Sequence, residues 1–211
     1  MARTARSAIL ATLAALTLAP LGALASGIGQ FKSFFGQTHS AQGSFIQSMI
    51  SSPGRKPVQS SGTFVIQRPG KFRWSYDRPH AHLLVSDGAK LWSYDPELKQ
   101  VTVKKMGESL GATPAALLAG DVLEQYFDLR DAGSEDGLEL VDATPKAKEA
   151  IFQRVRIGMA GKLLMTMEIH DNFGQTTYLR FTRFQRNPEV EASQFTFTPP
   201  KGADIITDKG D

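Results

Sequence analysis

The sequence predicts a mainly β protein, in which about eleven short strands form one antiparallel sheet. Segments rich in Val, Phe, Trp, Tyr and Thr recur between turn residues along most of the chain. The links between successive segments are short, which favours antiparallel pairing. A single apolar helical segment interrupts them near the middle. Such a sheet has too many strands for a small closed barrel with a solid interior, and enough to surround a cavity or curl part way round one.

The first 25 residues are predicted to be a secretory signal peptide. Arg3 and Arg6 precede an uncharged apolar run at 8–18, and Ala23-Leu24-Ala25 provides an A-x-A cleavage site. The run is shorter than the roughly 20 apolar residues that a bilayer requires. We therefore expect an exported protein in which residues 26–211 form one domain.

Composition limits the possible partners and chemistry. Removing Arg3 and Arg6 lowers the formal net charge from +3 to +1, and no cluster of Lys and Arg remains that would predict nucleic-acid binding. The chain has no Cys, which excludes disulfides, thiol chemistry and a lipid on an N-terminal cysteine. A monomer is the simplest expectation.

A short amphipathic helix is predicted over residues 26–38. Its apolar residues Ile28, Phe31, Phe34 and Phe35 recur at spacings of three and four. Two interpretations stay open for this largely aromatic face: ordinary packing onto a core, or a movable lid.

An aromatic wall is predicted on one of the strands that follow. Phe72, Trp74 and Tyr76 alternate with polar residues, so the three rings point to the same face of a strand. The predicted strands of the first half lie at 43–50, 62–68, 71–77, 82–86, 90–95 and 100–104, and those of the second half at 138–141, 151–157, 162–170, 176–184 and 194–198.

A second, almost wholly apolar helix is predicted between these two sets of strands. Thr113 occupies the N-cap, Pro114 the first helical position and Gly120 the end. Residues 121–127 are expected to add another turn or two. Because a sheet of this size does not need such an interruption for stability, the helix either plugs the open end of a barrel or covers a cavity.

Catalytic motifs are weak. His80 and His82 would share one face of a strand, but a metal site would need a third ligand from Asp77 or His39. The chain has no Gly-x-Ser-x-Gly elbow for a nucleophilic serine. A binding role is favoured, and a histidine-based metallohydrolase remains the enzymatic alternative.

The carboxylates Asp121 and Glu124 follow the apolar helix. They could pair, but two acidic residues so close in sequence are more typical of a solvated helix end.

Arg68 ends an apolar strand beside Pro69, immediately before the aromatic wall. A lone arginine is often simply solvated at the surface. Alternatively, Arg68 turns inward and uses its five rigidly arranged donors on main-chain carbonyls. If those carbonyls belong to the helix around Leu117, Arg68 would hold that helix closed.

Four motifs together resemble one known family, the LolA family of periplasmic carriers of outer-membrane lipoproteins. They span nearly the whole chain after the signal peptide, in order, at 68–74, 84–92, 113–114 and 195–202. The resemblance implies an unclosed, highly curved antiparallel β-barrel whose short helices form a lid over a hydrophobic cavity. It implies neither enzymatic activity nor a cofactor.

The resemblance also implies a set of site residues. Arg68 matches the arginine that holds the lid helices in this family. The implied ligand-binding residues line the wall and the two lid helices: Phe72, Trp74, Trp92, Phe31, Phe35, Leu117 and Leu118.

The partners implied by the resemblance are triacylated lipoproteins, an inner-membrane ABC transporter of the LolCDE type that releases them, and an outer-membrane receptor of the LolB type. That receptor shares the fold but is lipidated on an N-terminal Cys. The absence of Cys here favours the carrier. A periplasmic lipid-binding sensor of the same fold, which would need a second domain, is the other alternative.

Overall fold

A computed structural model of the 211-residue chain describes residues 26–51, 54–106, 113–120, 123–147 and 150–207. The predicted signal peptide lies outside these ranges. No helix within them is both long and apolar enough to cross a bilayer. The described helices are α1 (Gly27–Gln37), α2 (Pro114–Ala119), α3 (Leu123–Tyr126) and a 3₁₀ helix (Ala192–Phe195).

The described residues form twelve strands in a single curled sheet, which confirms the predicted fold class. Their order is β12-β6-β5-β4-β3-β2-β1-β11-β10-β9-β8-β7, and β7 and β12 lie at the two edges, so the barrel is unclosed. All neighbours pair antiparallel except β12, which runs parallel to β6. The strands are β1 (Ser40–Ile50), β2 (Val58–Gln67), β3 (Lys71–Arg78), β4 (His82–Asp87), β5 (Lys90–Asp95), β6 (Gln100–Lys105), β7 (Phe127–Glu135), β8 (Leu138–Pro145), β9 (Phe152–Ala160), β10 (Leu163–Asp171), β11 (Thr176–Arg186) and β12 (Asp204–Thr207).

Three local predictions were wrong. Residues 194–198 are not a strand, because the chain there leaves a 3₁₀ helix and continues without pairing. Strand β7 was missed because it alternates few apolar residues and is largely exposed at the sheet edge. Strand β12 was missed because it follows two prolines and exposes all four of its residues. The helical turn expected over 121–127 is described only at Leu123–Tyr126, after which β7 begins.

Both longer helices begin with a side-chain cap, of which the sequence predicted the one at Thr113. In α1, the Ser26 hydroxyl accepts a hydrogen bond from Gly29 N at 3.2 Å. In α2, Thr113 Oγ1 accepts one from Ala116 N at 3.1 Å, and Pro114 is the first helical residue. Each cap satisfies an amide that a helix start would otherwise leave unpaired.

Both helices lie over the inner face of the curled sheet. Helix α1 packs against β7 to β10, and α2 packs against β2 and β3. Apolar side chains of the helices and of the inner sheet face form one buried cluster. The helices therefore cover the interior from two sides, and we call α1 and α2 the lid helices.

Candidate functional site

The aromatic wall forms the centre of the interior. Phe72 and Trp74 expose no surface. The Trp74 ring stacks on Phe45, with 4.4 Å between ring centroids, and lies 5.5 Å from Phe64. Tyr76 meets Phe45 edge-on at 5.3 Å. Phe45 and Phe64 come from β1 and β2 and were not predicted as wall residues, although the alternation of Gly62, Phe64 and Ile66 in β2 could have revealed the second.

A β-bulge adds two further rings to the wall. Phe181 and Phe184 are three positions apart, which would place them on opposite faces of a regular strand. The pairing of β1 with β11 shifts register between Ser44 and Phe45, so that one extra residue of β11 lies between the two phenylalanines. Their ring centroids are consequently 5.3 Å apart, on the same face.

The lid helices fill the space in front of the wall. Phe31 and Phe34 of α1 and Leu117 and Leu118 of α2 are all buried in the apolar cluster, and Phe35 packs at its edge. Phe31 and Phe35 contact each other edge-on at 6.0 Å. The lid residues predicted from the sequence thus face the interior, and Phe34 joins them.

Arg68 points inward and joins the sheet to both lid helices. Its Nε donates a hydrogen bond to Leu118 O at 2.9 Å, and one terminal nitrogen donates to Thr38 O at 2.9 Å and, in a short contact, to Phe35 O. The main-chain acceptors expected from the sequence are therefore present, and they come from α1 as well as from α2. We call these three bonds the latch.

The electrostatics of the latch favour a cation at this position. Leu118 O and Phe35 O are carbonyls of the last turns of two helices, where the helix dipole is negative. The guanidinium also lies 3.5 Å from the centroid of the Phe35 ring. Burial lowers the pKa of Arg68 to about 10, so the side chain remains charged at neutral pH.

The backbone beside Arg68 makes a second contact with α2. Gly70 N donates a hydrogen bond to Ala119 O at 2.8 Å, and Ser86 Oγ donates to Gly70 O at 2.8 Å. Gly70 has a φ of +72°, and a Cβ added there would lie 3.1 Å from Gly88 Cα. This corner therefore needs glycine both for its backbone conformation and for the close approach of the neighbouring turn.

Polar groups of β7 and α3 contact the first half of α1. Ile28 N donates to Asp131 Oδ1 at 2.9 Å. Lys32 forms an ion pair with Glu124, in which both side chains are more than half exposed, so its contribution to stability is small. Asp121, which the sequence placed near Glu124, lies outside the described residues.

A cavity of about 250 Å³ remains between α2 and the strands β1, β3, β9, β10 and β11. Its lining is mostly apolar, with a few polar groups: Gln47, Met49, Tyr76, Thr113, Pro114, Leu117, Ile151, Phe152, Val155, Met167, Ile169, Asp171, Gln175 and Thr177. Small-molecule pockets typically measure roughly 300–1,000 Å³. The closed interior therefore has little free volume, because the lid side chains occupy it.

The structure contradicts the predicted place of Trp92 in the cavity. Arg73 of β3 pairs with Val85 of β4, which pairs with Trp92 of β5, so the three side chains share the outer face of the sheet. The Trp92 ring packs instead on Phe197 of the C-terminal segment, 6.5 Å away. The sequence shows that the side chains of β5 alternate between two faces, but not which of the two sets faces the interior.

The two histidines do not form a metal site. His80 Nδ1 bonds to Glu97 Oε1 at 3.0 Å on the surface, and His82 Nε2 bonds to Ser93 Oγ at 2.9 Å. Burial lowers the pKa of His82, whereas Glu97 raises that of His80. Across the described part of the chain, no three His, Cys, Asp or Glu side chains are grouped so as to hold a metal ion.

The fold and this site define the class: an unclosed β-barrel with a helical lid over an apolar interior. The family model described as "Outer membrane lipoprotein carrier protein LolA" matches residues 36–198. The chain belongs to the LolA family.

Relatives named outer-membrane lipoprotein carrier protein match over most of their length. One from Dechloromonas aromatica is 50% identical over 190 residues, covering 90% of this chain and 91% of its own. One from Ralstonia nicotianae is 43% identical over 208 residues, covering 96% and 97%. A solved structure of an uncharacterized conserved protein from Thermus thermophilus has a TM-score of 0.52 at 13% identity, covering 86% of this chain and 97% of that one. This last similarity supports the fold alone.

Proposed function

We propose that this chain carries lipoproteins through the periplasm by enclosing their acyl chains between the aromatic wall and the lid helices. As a member of a family of carriers it acts by binding and is not an enzyme. The observation that carries the proposal is the apolar interior closed by two helices that one buried arginine holds. Phe72, Trp74, Phe31, Phe35, Leu117 and Leu118 form the proposed binding surface, from which Trp92 is now omitted.

The energetics of acyl chains explain why a carrier is needed. Burying one methylene group is worth about 0.8 kcal/mol, so three chains of roughly fourteen methylenes leave about 30 kcal/mol of unfavourable exposure in water. Free diffusion of a triacylated protein between two membranes would therefore be negligible. An enclosed apolar interior removes that exposure during transit.

In the proposed cycle, an ABC transporter of the LolCDE type supplies the lipoprotein and a receptor of the LolB type accepts it. Incoming acyl chains displace the lid helices and break the latch. Release then lets Arg68 regain its carbonyls, so that closure of the lid competes with the cargo. The receptor needs only a higher affinity than the carrier for transfer to proceed.

Isolation of the carrier with its cargo tests the proposal. The chain should be purified from the periplasm of cells that make lipoproteins, and the bound material identified by mass spectrometry of intact complexes. Triacylated proteins are expected in association with the carrier. If the purified chain carries none while a tagged lipoprotein is released normally from the inner membrane, the proposed function is wrong.

A further inference from the structure

A small polar cluster interrupts the apolar interior beside the cavity. The Tyr76 hydroxyl donates a hydrogen bond to Gln47 Oε1 at 3.1 Å, and both side chains line the cavity. The indole of Trp74, which is fully buried, lies next to the same hydroxyl. Burial raises the pKa of Tyr76, while its two polar neighbours lower it in part. The cluster is therefore neutral at physiological pH and acts through hydrogen bonding alone.

Two donors of this cluster are unused in the closed structure. Trp74 Nε1 is buried and has no hydrogen bond of normal geometry to any residue that the structure describes. Gln47 uses its carbonyl oxygen as an acceptor, and its amide nitrogen makes no hydrogen bond within the same described ranges. A neutral amide offers two N–H donors and an indole one. The cluster thus has unused donors, besides the remaining lone pairs of Gln47 Oε1 and of the Tyr76 hydroxyl.

The buried Trp74 donor is unfavourable unless something uses it, because leaving a buried donor unpaired costs about 1–3 kcal/mol. Gln47 is only partly buried, and its amide faces the cavity. A phenylalanine at position 76 would keep the edge-on contact with Phe45, and apolar side chains such as Phe152, Val155 and Met167 line much of the same cavity. Packing alone does not explain why the hydroxyl and the amide are here.

The missing partner is an acceptor that enters with an apolar ligand. Ester carbonyls fit this description, because they accept hydrogen bonds, carry no charge and lie at the head of an acyl chain. We propose that Gln47 and Tyr76, which line the cavity, bind the ester carbonyls that join acyl chains to glycerol. This inference rests on the proposed function and adds to it that the carrier distinguishes ester-linked chains from other apolar chains of the same length.

Two synthetic lipopeptides test the inference. Both carry an N-terminal cysteine with one amide-linked palmitoyl chain and an S-glyceryl group, which bears two palmitoyl esters in one probe and two hexadecyl ethers in the other. Their affinities are measured by competition with a fluorescent lipid. Since one neutral hydrogen bond is worth about 0.5–1.5 kcal/mol, the wild-type protein should prefer the ester probe by about two- to tenfold.

The variants Tyr76→Phe and Gln47→Met should bind the ester probe no better than the ether probe, and so lose the wild-type preference. Met49→Leu alters the same cavity without touching a polar group and should keep the preference. Thermal unfolding of each variant confirms that it is folded.

Three outcomes would overturn the inference, and the first two leave the proposed function intact. Equal affinity of the wild type for both probes, or an ester preference that survives in both variants, would show that the cluster does not recognise the esters. In either case both probes still bind, so the carrier function would stand. Failure of both probes to bind the wild type would refute the carrier function as well.

Discussion

Replacing Arg68 with leucine removes the contact that joins both lid helices to the sheet. Leucine keeps an apolar stem next to Phe35 but offers no donor to Leu118 O or Thr38 O. The closed lid is destabilised, whereas an open, loaded lid, in which the latch is already broken, is not. We therefore expect Arg68→Leu to load lipoprotein normally and to transfer it poorly, because reclosure no longer drives release.

The size of the effect follows from the three bonds. A hydrogen bond to a charged group contributes about 1.5–3 kcal/mol. The desolvation of the guanidinium, which also lowers its pKa, offsets part of their sum. We therefore expect the closed lid to lose about 3 kcal/mol of stability relative to the open lid, which corresponds to roughly a hundredfold shift of the closed–open equilibrium.

Two measurements check this expectation. Hydrogen exchange of the empty protein should show the amides of α1 losing protection by about two orders of magnitude, and a transfer assay with loaded carrier and purified receptor should show a slower release. Arg73→Leu is the matched control, since Arg73 lies on the outer face and, among the residues that the structure describes, its side chain makes a single long hydrogen bond, to Gln194 O at 3.5 Å. Transfer by Arg68→Leu at the wild-type rate would refute the latch.

Other predictions address the wall, the outer face and acid stability. Phe72→Glu should abolish co-purification of lipoprotein, because a carboxylate at this fully buried position has no partner; undiminished cargo would argue against the assigned cavity. Trp92→Ala should lower the free energy of unfolding by about 2 kcal/mol, which is half the loss typical of a buried aromatic residue. Loading of lipoprotein by the folded variant should be unchanged; a loss of loading would show that Trp92 belongs to the binding site. Asp142 accepts two hydrogen bonds from Arg156, at 2.8 and 3.0 Å, which hold its pKa below the usual range. This ion pair stabilises the folded state fully above the ordinary carboxyl pKa, and its contribution is lost as the pH falls through the lowered pKa of Asp142. Asp142→Asn should therefore make the free energy of unfolding fall less steeply with decreasing pH. An unchanged slope in denaturation measurements at several acidic pH values would contradict this.

The sequence predicts the elements that depend on local chemistry. Thr113 and Pro114 mark the start of α2 because capping and the fixed φ of proline act within one turn. The alternation of Phe72 and Trp74 gives the wall because a strand has a period of two. These predictions need no knowledge of distant parts of the chain.

Features that depend on the relation between distant segments were less accessible. The three carbonyls that bind Arg68 lie 30, 33 and 50 positions away in sequence, so the sequence suggested the donor and one helix but not α1. The inner face of β5 depends on the register carried through β3 and β4, which is why Trp92 was misplaced. Gln47 stands between Ile46 and Ser48 in β1, without a local pattern that marks it.

Lid side chains occupy the interior of the closed state, which explains how such a carrier releases a strongly hydrophobic cargo without an energy source. Phe31, Phe34, Leu117 and Leu118 already bury apolar surface against the wall in the closed state. Acyl chains that enter must replace these contacts, so their binding exchanges one apolar burial for another, and the net affinity is a small difference between two large terms. The hydrogen bonds of the latch stabilise only the closed, empty state. Under the proposed function, Arg68 therefore sets the affinity low enough for the receptor to take the cargo, while the apolar wall keeps it high enough for transport.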